Sequence, residues 1–173
     1  NRANLLKTTL ASLFSVRGIV RENVLVLQDG KNREVEAVVR DHNLQLVQHD
    51  PSQLRYADGA TRIAKHYKYS LTAAFDHFPL APAIIIVEDD LLFSPDFLDY
   101  FEQVAPILDV DATSFLVSAW SDNGYKGKVD DPYALRRTEF FPGLGWLLPR
   151  KLYKQELEDK WPSEHWDHWL RSY

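Results

Sequence analysis

The sequence predicts an α/β sandwich built on a mostly parallel sheet. Three observations carry this. Strand-like and helix-like stretches alternate along the 173 residues. Five consecutive β-formers, Ala83-Ile84-Ile85-Ile86-Val87, stand between Pro82 and the acidic triplet Glu88-Asp89-Asp90. An unbroken apolar run of that length reads as a strand covered on both faces, as in a parallel sheet. Finally, Ile63, Tyr67, Leu71, Ala74 and Phe78 keep the three-to-four-residue spacing of an amphipathic helix. Alternation of this kind is the pattern of helices packed on a sheet.

The elements follow in order. Leu6, Leu10, Leu13 and Phe14 recur at helical spacing, predicting a helix over 3–14. Residues 23–28 (NVLVLQ) read as a strand that ends at the turn signal Asp29-Gly30. A helix over 32–41 and a short strand over 44–48 come next, then the long helix over 60–78 and the strand over 83–87. Ser94-Pro95-Asp96 has the composition of a helix start, with Ser at the N-cap, Pro at the first helical position and an acid in the first turn. That helix continues through Phe97, Tyr100 and Phe101. A strand is expected over 114–119, a long polar loop over 120–137, a strand over 145–148, and helices over 150–159 and 164–172. Polar loops of that length are uncommon unless they serve a function.

The charge balance limits the partners. A net charge of −5 and the lack of any basic stretch argue against a nucleic-acid surface. There is no Cys, hence no disulfide framework and no thiolate chemistry within these residues. No apolar run approaches the roughly 20 residues needed to span a bilayer. Neither a dinucleotide fingerprint nor a phosphate-binding P-loop is present. Gly143-Leu144-Gly145 reads as a tight turn.

Glu88-Asp89-Asp90 is the most informative feature. A strand ending in carboxylates presents them at the carboxyl edge of the sheet, where open α/β sheets bind ligands. Three adjacent carboxylates repel one another, and a divalent cation with oxygen ligands is the simplest neutralising partner. A solvated acidic turn before a helix has the same composition. Asp29, also behind a strand, is either a turn residue or a ligand contact. His66 lies on the long helix with no second His one turn away, so a surface or hydrogen-bonded role competes with ligand binding. Trp161, Trp166 and Trp169 fall within nine residues around Asp167. They are either core or a platform for sugar rings, and a carboxylate partly desolvated by indoles suits a general base.

The stretches NRANLLKTTLASL, RIAKHYKYSLTAAF, IIIVEDDLLFSPDFLDYF, LVSAWSDNGY, RRTEFFPGLGWLL and KWPSEHWDHWLR resemble, in order and over nearly the whole chain, the inverting family-13 glycosyltransferases. That resemblance implies a GT-A fold, UDP-N-acetylglucosamine as donor, Mn²⁺ as cofactor and transfer to the 2-hydroxyl of a terminal mannose on a glycan or glycoprotein. It makes Asp90 the metal ligand of the family's acidic motif, and Glu88 and Asp89 the residues holding donor sugar and ribose. Arg2, Asp29 and His66 match nucleotide contacts. Asp167 matches the catalytic base, and Leu144 and Trp166 match residues beside the donor sugar. Glu88-Asp89-Asp90 and Phe140-Phe141-Pro142 follow the N-glycan enzymes, whereas HYKYSLTAAF leans towards the O-mannose enzymes. A glycan-binding domain without activity, and a metal-dependent nucleotidyltransferase, are the alternatives from other classes.

The resemblance further implies a type II membrane protein of the Golgi lumen, its anchor outside this segment. Residues 1–173 are then a partial catalytic domain. A first strand is expected before Asn1, and a closing loop with part of the acceptor site after Tyr173. The family's structural cysteines are replaced, at positions that align with Gly30 and Leu116.

Overall fold

A computed structural model describes residues 2–131 and 133–172; Pro132 of the polar loop lies outside them. Helix α1 spans Arg2–Leu13 and buries Leu6, Leu10 and Leu13 on one stripe. Strand β1 spans Leu25–Asp29, helix α2 Arg33–Asp41 and strand β2 Gln45–His49. The Asn32 side chain accepts hydrogen bonds from the Glu34 and Val35 backbone N–H groups and so caps α2, a contact worth about 1 kcal/mol. β1 and β2 pair in parallel from Leu25 beside Gln45 to Asp29 beside His49. α1 and α2 cover this pair, with Leu6, Leu10, Val35 and Val39 packed against Val26 and Leu46.

Helix α3 spans Gly59–His77, capped by the Asp58 carboxylate on the Thr61 N–H. Strand β3 spans Ala83–Ile86. Helix α4 spans Phe97–Val104 and the one-turn helix α5 Ile107–Val110. Strands β4 (Val117–Ser118) and β5 (Trp146–Pro149) follow. Helix α6 covers Arg150–Leu152 and runs on as a π-helical turn over Tyr153–Leu157. Helix α7, Trp166–Arg171, closes the described chain.

The sheet corrects the expectation of mostly parallel pairing. β3, β5 and β4 form an antiparallel trio with β5 central, and among the described residues only β1 and β2 run parallel. The apolar run of β3 is explained all the same, because both its faces are packed. Ile84 and Ile86 meet the cluster of Phe75, Trp146 and Tyr153. Ala83 and Ile85 meet Phe101, Val117 and Leu147. Its four residues are nevertheless only half-buried, since β3 is an edge strand.

Two further expectations change. The predicted N-cap moves from Ser94 to Asp96, because residues 94–96 form a separate turn in which the Ser94 hydroxyl bonds Asp96 and the Ser94 carbonyl accepts from Phe97 N. The strand expected over 114–119 is only two residues long, and Asp111 instead ties Thr113 and Ser114 into a polar turn.

Between β1 and β3 lies a cavity of about 1480 Å³. β1, β3, α1 and α3 all line it. Among the described residues, the edges of β1 and β3 that face it pair with no other strand.

Candidate functional site

The parallel register brings Asp29 and His49 together at the carboxyl end of β1 and β2. His49 Nδ1 lies 2.9 Å from Asp29 Oδ1, and Arg62 Nη2 is 3.4 Å from Oδ2. Gly30 follows at φ +71°, a conformation open to glycine at little cost, and its N–H bonds the His49 carbonyl. α3 then crosses this end. The His66 ring stacks on His49 with centroids 5.6 Å apart. Burial pushes the His66 pKa below the ordinary imidazole value, and the nearby Asp29 charge offsets only part of that. So the lone His read from the sequence belongs to a group assembled across three elements.

The next residue of α3 reaches the other strand. The Tyr67 hydroxyl donates to Glu88 Oε1 at 2.7 Å. Burial first, then the Glu88 charge, pushes the Tyr67 pKa far above that of a free phenol, and the Asp167 charge adds to the shift. Consecutive positions 66 and 67 thereby set α3 against His49 at the end of β2 and against Glu88 behind β3. The Tyr67 ring stacks on Trp166, centroids 4.0 Å apart.

The three acids meet different partners within the chain. Glu88 is held by Tyr67. Asp89 Oδ1 accepts from Arg2 Nη1 at 2.6 Å, and the Asp89 carbonyl accepts from the Thr9 hydroxyl. Asp90 is exposed and makes no hydrogen bond or ion pair among the described residues. An exposed, unpartnered carboxylate at a strand end fits a hard cation such as Mn²⁺ or Mg²⁺, which takes one or two carboxylates and fills its remaining positions with water and phosphate oxygens.

α7 supplies the last part. His165 sits in the left-handed region at φ 47°, a strain of about 1–2 kcal/mol for a residue with a Cβ. That turn points Trp166 inward, 6% exposed, and leaves Asp167 half-exposed. Trp166 stacks with Trp161 and Trp146, so the core reading of the Trp cluster holds for its interior. Asp167 is partly enclosed, its side chain 35% exposed. Its Oδ2 accepts from Arg171 Nη1 at 3.1 Å, and Oδ1 is unpartnered among the described residues. Arg171 is itself fixed by donating to the Phe141 carbonyl. Gly143 (φ +82°) and Gly145 (φ +51°) form the expected turn around Leu144.

Arg2, Asp29, His66, Glu88, Asp89, Leu144, Trp166 and Asp167 all line the one cavity between the sheets. Asp90 does not. His49, Tyr67 and Arg171 join the site without having been singled out. His49 was within reach of the same strand-end argument that selected Asp29; Tyr67 was hidden as one residue of an apolar stripe.

An arginine-paired acidic strand end, a half-buried imidazole and an aromatic-backed carboxylate stand around one cavity. The GNT-I family model matches residues 1–173, and the chain belongs to that family. It is 39% identical over 180 residues to the alpha-1,3-mannosyl-glycoprotein 2-beta-N-acetylglucosaminyltransferase of Arabidopsis thaliana, an alignment that covers 99% of this chain and 40% of that protein. The chain thus spans about two-fifths of that relative's length. Among the described residues, no helix is long and apolar enough to cross a membrane.

Proposed function

We propose that residues 1–173 are part of the GT-A catalytic domain of an inverting, metal-dependent β-1,2-N-acetylglucosaminyltransferase. The protein takes N-acetylglucosamine from UDP-N-acetylglucosamine and places it on the 2-hydroxyl of a terminal mannose of an N-glycan. The observation that carries this reading is the family match over the whole chain, and the cavity lined by β1 and β3 supports it by gathering the candidate residues other than Asp90. The name of the Arabidopsis relative favours the N-glycan over the O-mannosyl acceptor.

Each residue has a task in this reading. Asp29 and His66 receive the nucleotide at the carboxyl end of β1, and Arg2 adds positive charge beside Asp89. Glu88, held by Tyr67, and Asp89 hold the donor sugar and ribose, flanked by Leu144 and Trp166. Asp90 would hold Mn²⁺, which when bound offsets negative charge on the diphosphate. Asp167 takes the proton from the acceptor hydroxyl through Oδ1 as that oxygen attacks the anomeric carbon from the face opposite UDP. One displacement turns an α-linked donor into a β-linked product without a protein nucleophile, consistent with a chain that has no Cys.

The cavity has a structural place in the same reading. A strand from outside residues 1–173, inserted between β1 and β3, would pair both free edges and join the two sheets into one. Unpaired edges of that kind otherwise invite aggregation. A membrane anchor outside the segment and a site in the Golgi lumen complete the proposal.

The test offers the full-length protein UDP-N-acetylglucosamine with an oligomannose N-glycan and with an O-mannosyl peptide. Transfer to the N-glycan supports the reading. Preference for the peptide would move the chain to the O-mannose branch, and transfer to neither would leave a domain without this activity.

A further inference from the structure

The group at the carboxyl end of β1 and β2 has the composition of a metal site of a different kind from Asp90. One donor atom from each of Asp29, His49 and His66 lies within 4.8 Å of the other two. His66 Nδ1 is buried and has no partner among the described residues. Its Nε2 lies 3.4 Å from the Ser70 hydroxyl one helical turn on, the outer contact that fixes a ligating imidazole in orientation. Asp29 is backed by Arg62 in the same way. The side chains of His49 and Asp29 are 15% and 25% exposed, so the group is largely enclosed, while Asp29 and His66 line the cavity.

We propose that Asp29, His49 and His66 form a second cation site, selective for zinc-like transition metals. Two imidazoles and one carboxylate are a three-ligand set that leaves a fourth tetrahedral position for water. Nitrogen donors favour Zn²⁺, Ni²⁺ and Cu²⁺, whereas the lone carboxylate of Asp90 suits Mn²⁺ or Mg²⁺. Bond lengths of about 2.0–2.1 Å place tetrahedral donors about 3.4 Å apart. To reach that value the His49–Asp29 pair, now at 2.9 Å, has to open slightly, and any wider spacing within the 4.8 Å group has to close. The metal replaces the proton shared by His49 and Asp29, and His49 carries its proton on Nε2 instead. His66 Nδ1, buried and without a partner among the described residues, offers its lone pair to the ion. The site rests on this geometry alone. That its occupation shuts out a nucleotide using Asp29 and His66 is a consequence that rests on the donor reading above.

Calorimetry of the full-length protein with ZnCl₂ in excess Mg²⁺, without nucleotide, tests the site. One equivalent should bind, and His49→Ala and His66→Ala should each weaken binding about tenfold or more. Absence of stoichiometric binding, or an isotherm unchanged in both variants, overturns the proposal. Wild-type protein titrated with Co²⁺ needs no variant: intense visible absorption of a four-coordinate imidazole site supports the assignment, and only the weak bands of an all-oxygen octahedral ion contradict it. UDP binding to zinc-free protein separates the two claims. If UDP binds but leaves the zinc isotherm unchanged, the metal site stands and the placement of the nucleotide falls.

Discussion

Tyr67 donates a 2.7 Å hydrogen bond to Glu88 while its ring lies stacked on Trp166. A single side chain of α3 thus joins the acidic strand end to the helix that carries Asp167. Tyr67→Phe keeps the stack and removes the bond. A hydrogen bond to a charged group contributes about 1.5–3 kcal/mol, and each kcal/mol moves the midpoint of a domain this size by about 2–4 °C. The melting temperature should fall by several degrees and the donor KM should rise. Thermal melts and donor titrations of the full-length variant check this; an unchanged KM would make Tyr67 a packing residue only.

Asp167→Asn preserves shape but removes the proton acceptor. Turnover should fall about 10²–10⁴-fold, with UDP affinity in Mn²⁺ retained. Wild-type turnover from the variant would make Asp167 merely the ion-pair partner of Arg171.

Asp90 has no protein partner among the described residues, so its carboxylate is available to a cation. Donor binding should require divalent metal, and Asp90→Asn should weaken that dependence. Calorimetry with UDP in Mn²⁺ and in EDTA reads this directly. Equal affinity in the two buffers sinks the assignment.

Tyr153 supplies a test of the core. Burial pushes its phenol pKa up to about 12. Its hydroxyl is shared with Thr72 and donates to the Lys68 carbonyl. The unfolded chain loses this proton near pH 10, the folded chain only near 12. Its contribution is therefore intact below pH 10 and is lost as pH rises to 12. Denaturant titrations across that window should show a steep loss of stability that Tyr153→Phe flattens.

Much of this architecture was legible in the chain, within limits that have physical causes. Helical spacing located α1 and α3, and the β-former run located β3, because side-chain burial repeats locally along each element. The sense of pairing was not legible. A continuous apolar run reports that both faces of β3 are covered; it is silent on whether β5 runs with it or against it. The start of α4 shifted because Ser94 and Asp96 bond each other before the helix begins. At the site, Asp29, His66 and Glu88 stood out singly through their places on a strand end or a helix. Their grouping did not, because His49 meets Asp29 through strand register and His66 meets both from a separate helix. The resemblance carried the roles, and geometry added Tyr67, His49 and Arg171.

The open edges of β1 and β3 predict a difference in exchange. In the full-length protein, backbone amides on those edges should be protected from hydrogen exchange by the inserted strand. Fast exchange there would show that nothing fills the slot.

The central claim is inverting transfer at the carboxyl ends of β1 and β3. It is tested most directly by the anomeric configuration and linkage of the product that the full-length protein makes from UDP-N-acetylglucosamine and a mannose-terminated N-glycan, read by NMR. A β-linked N-acetylglucosamine on the mannose 2-oxygen, absent when Asp167→Asn replaces the wild type, is the predicted result. An α-linked product, or a β-linked product formed equally well by the variant, would contradict the account.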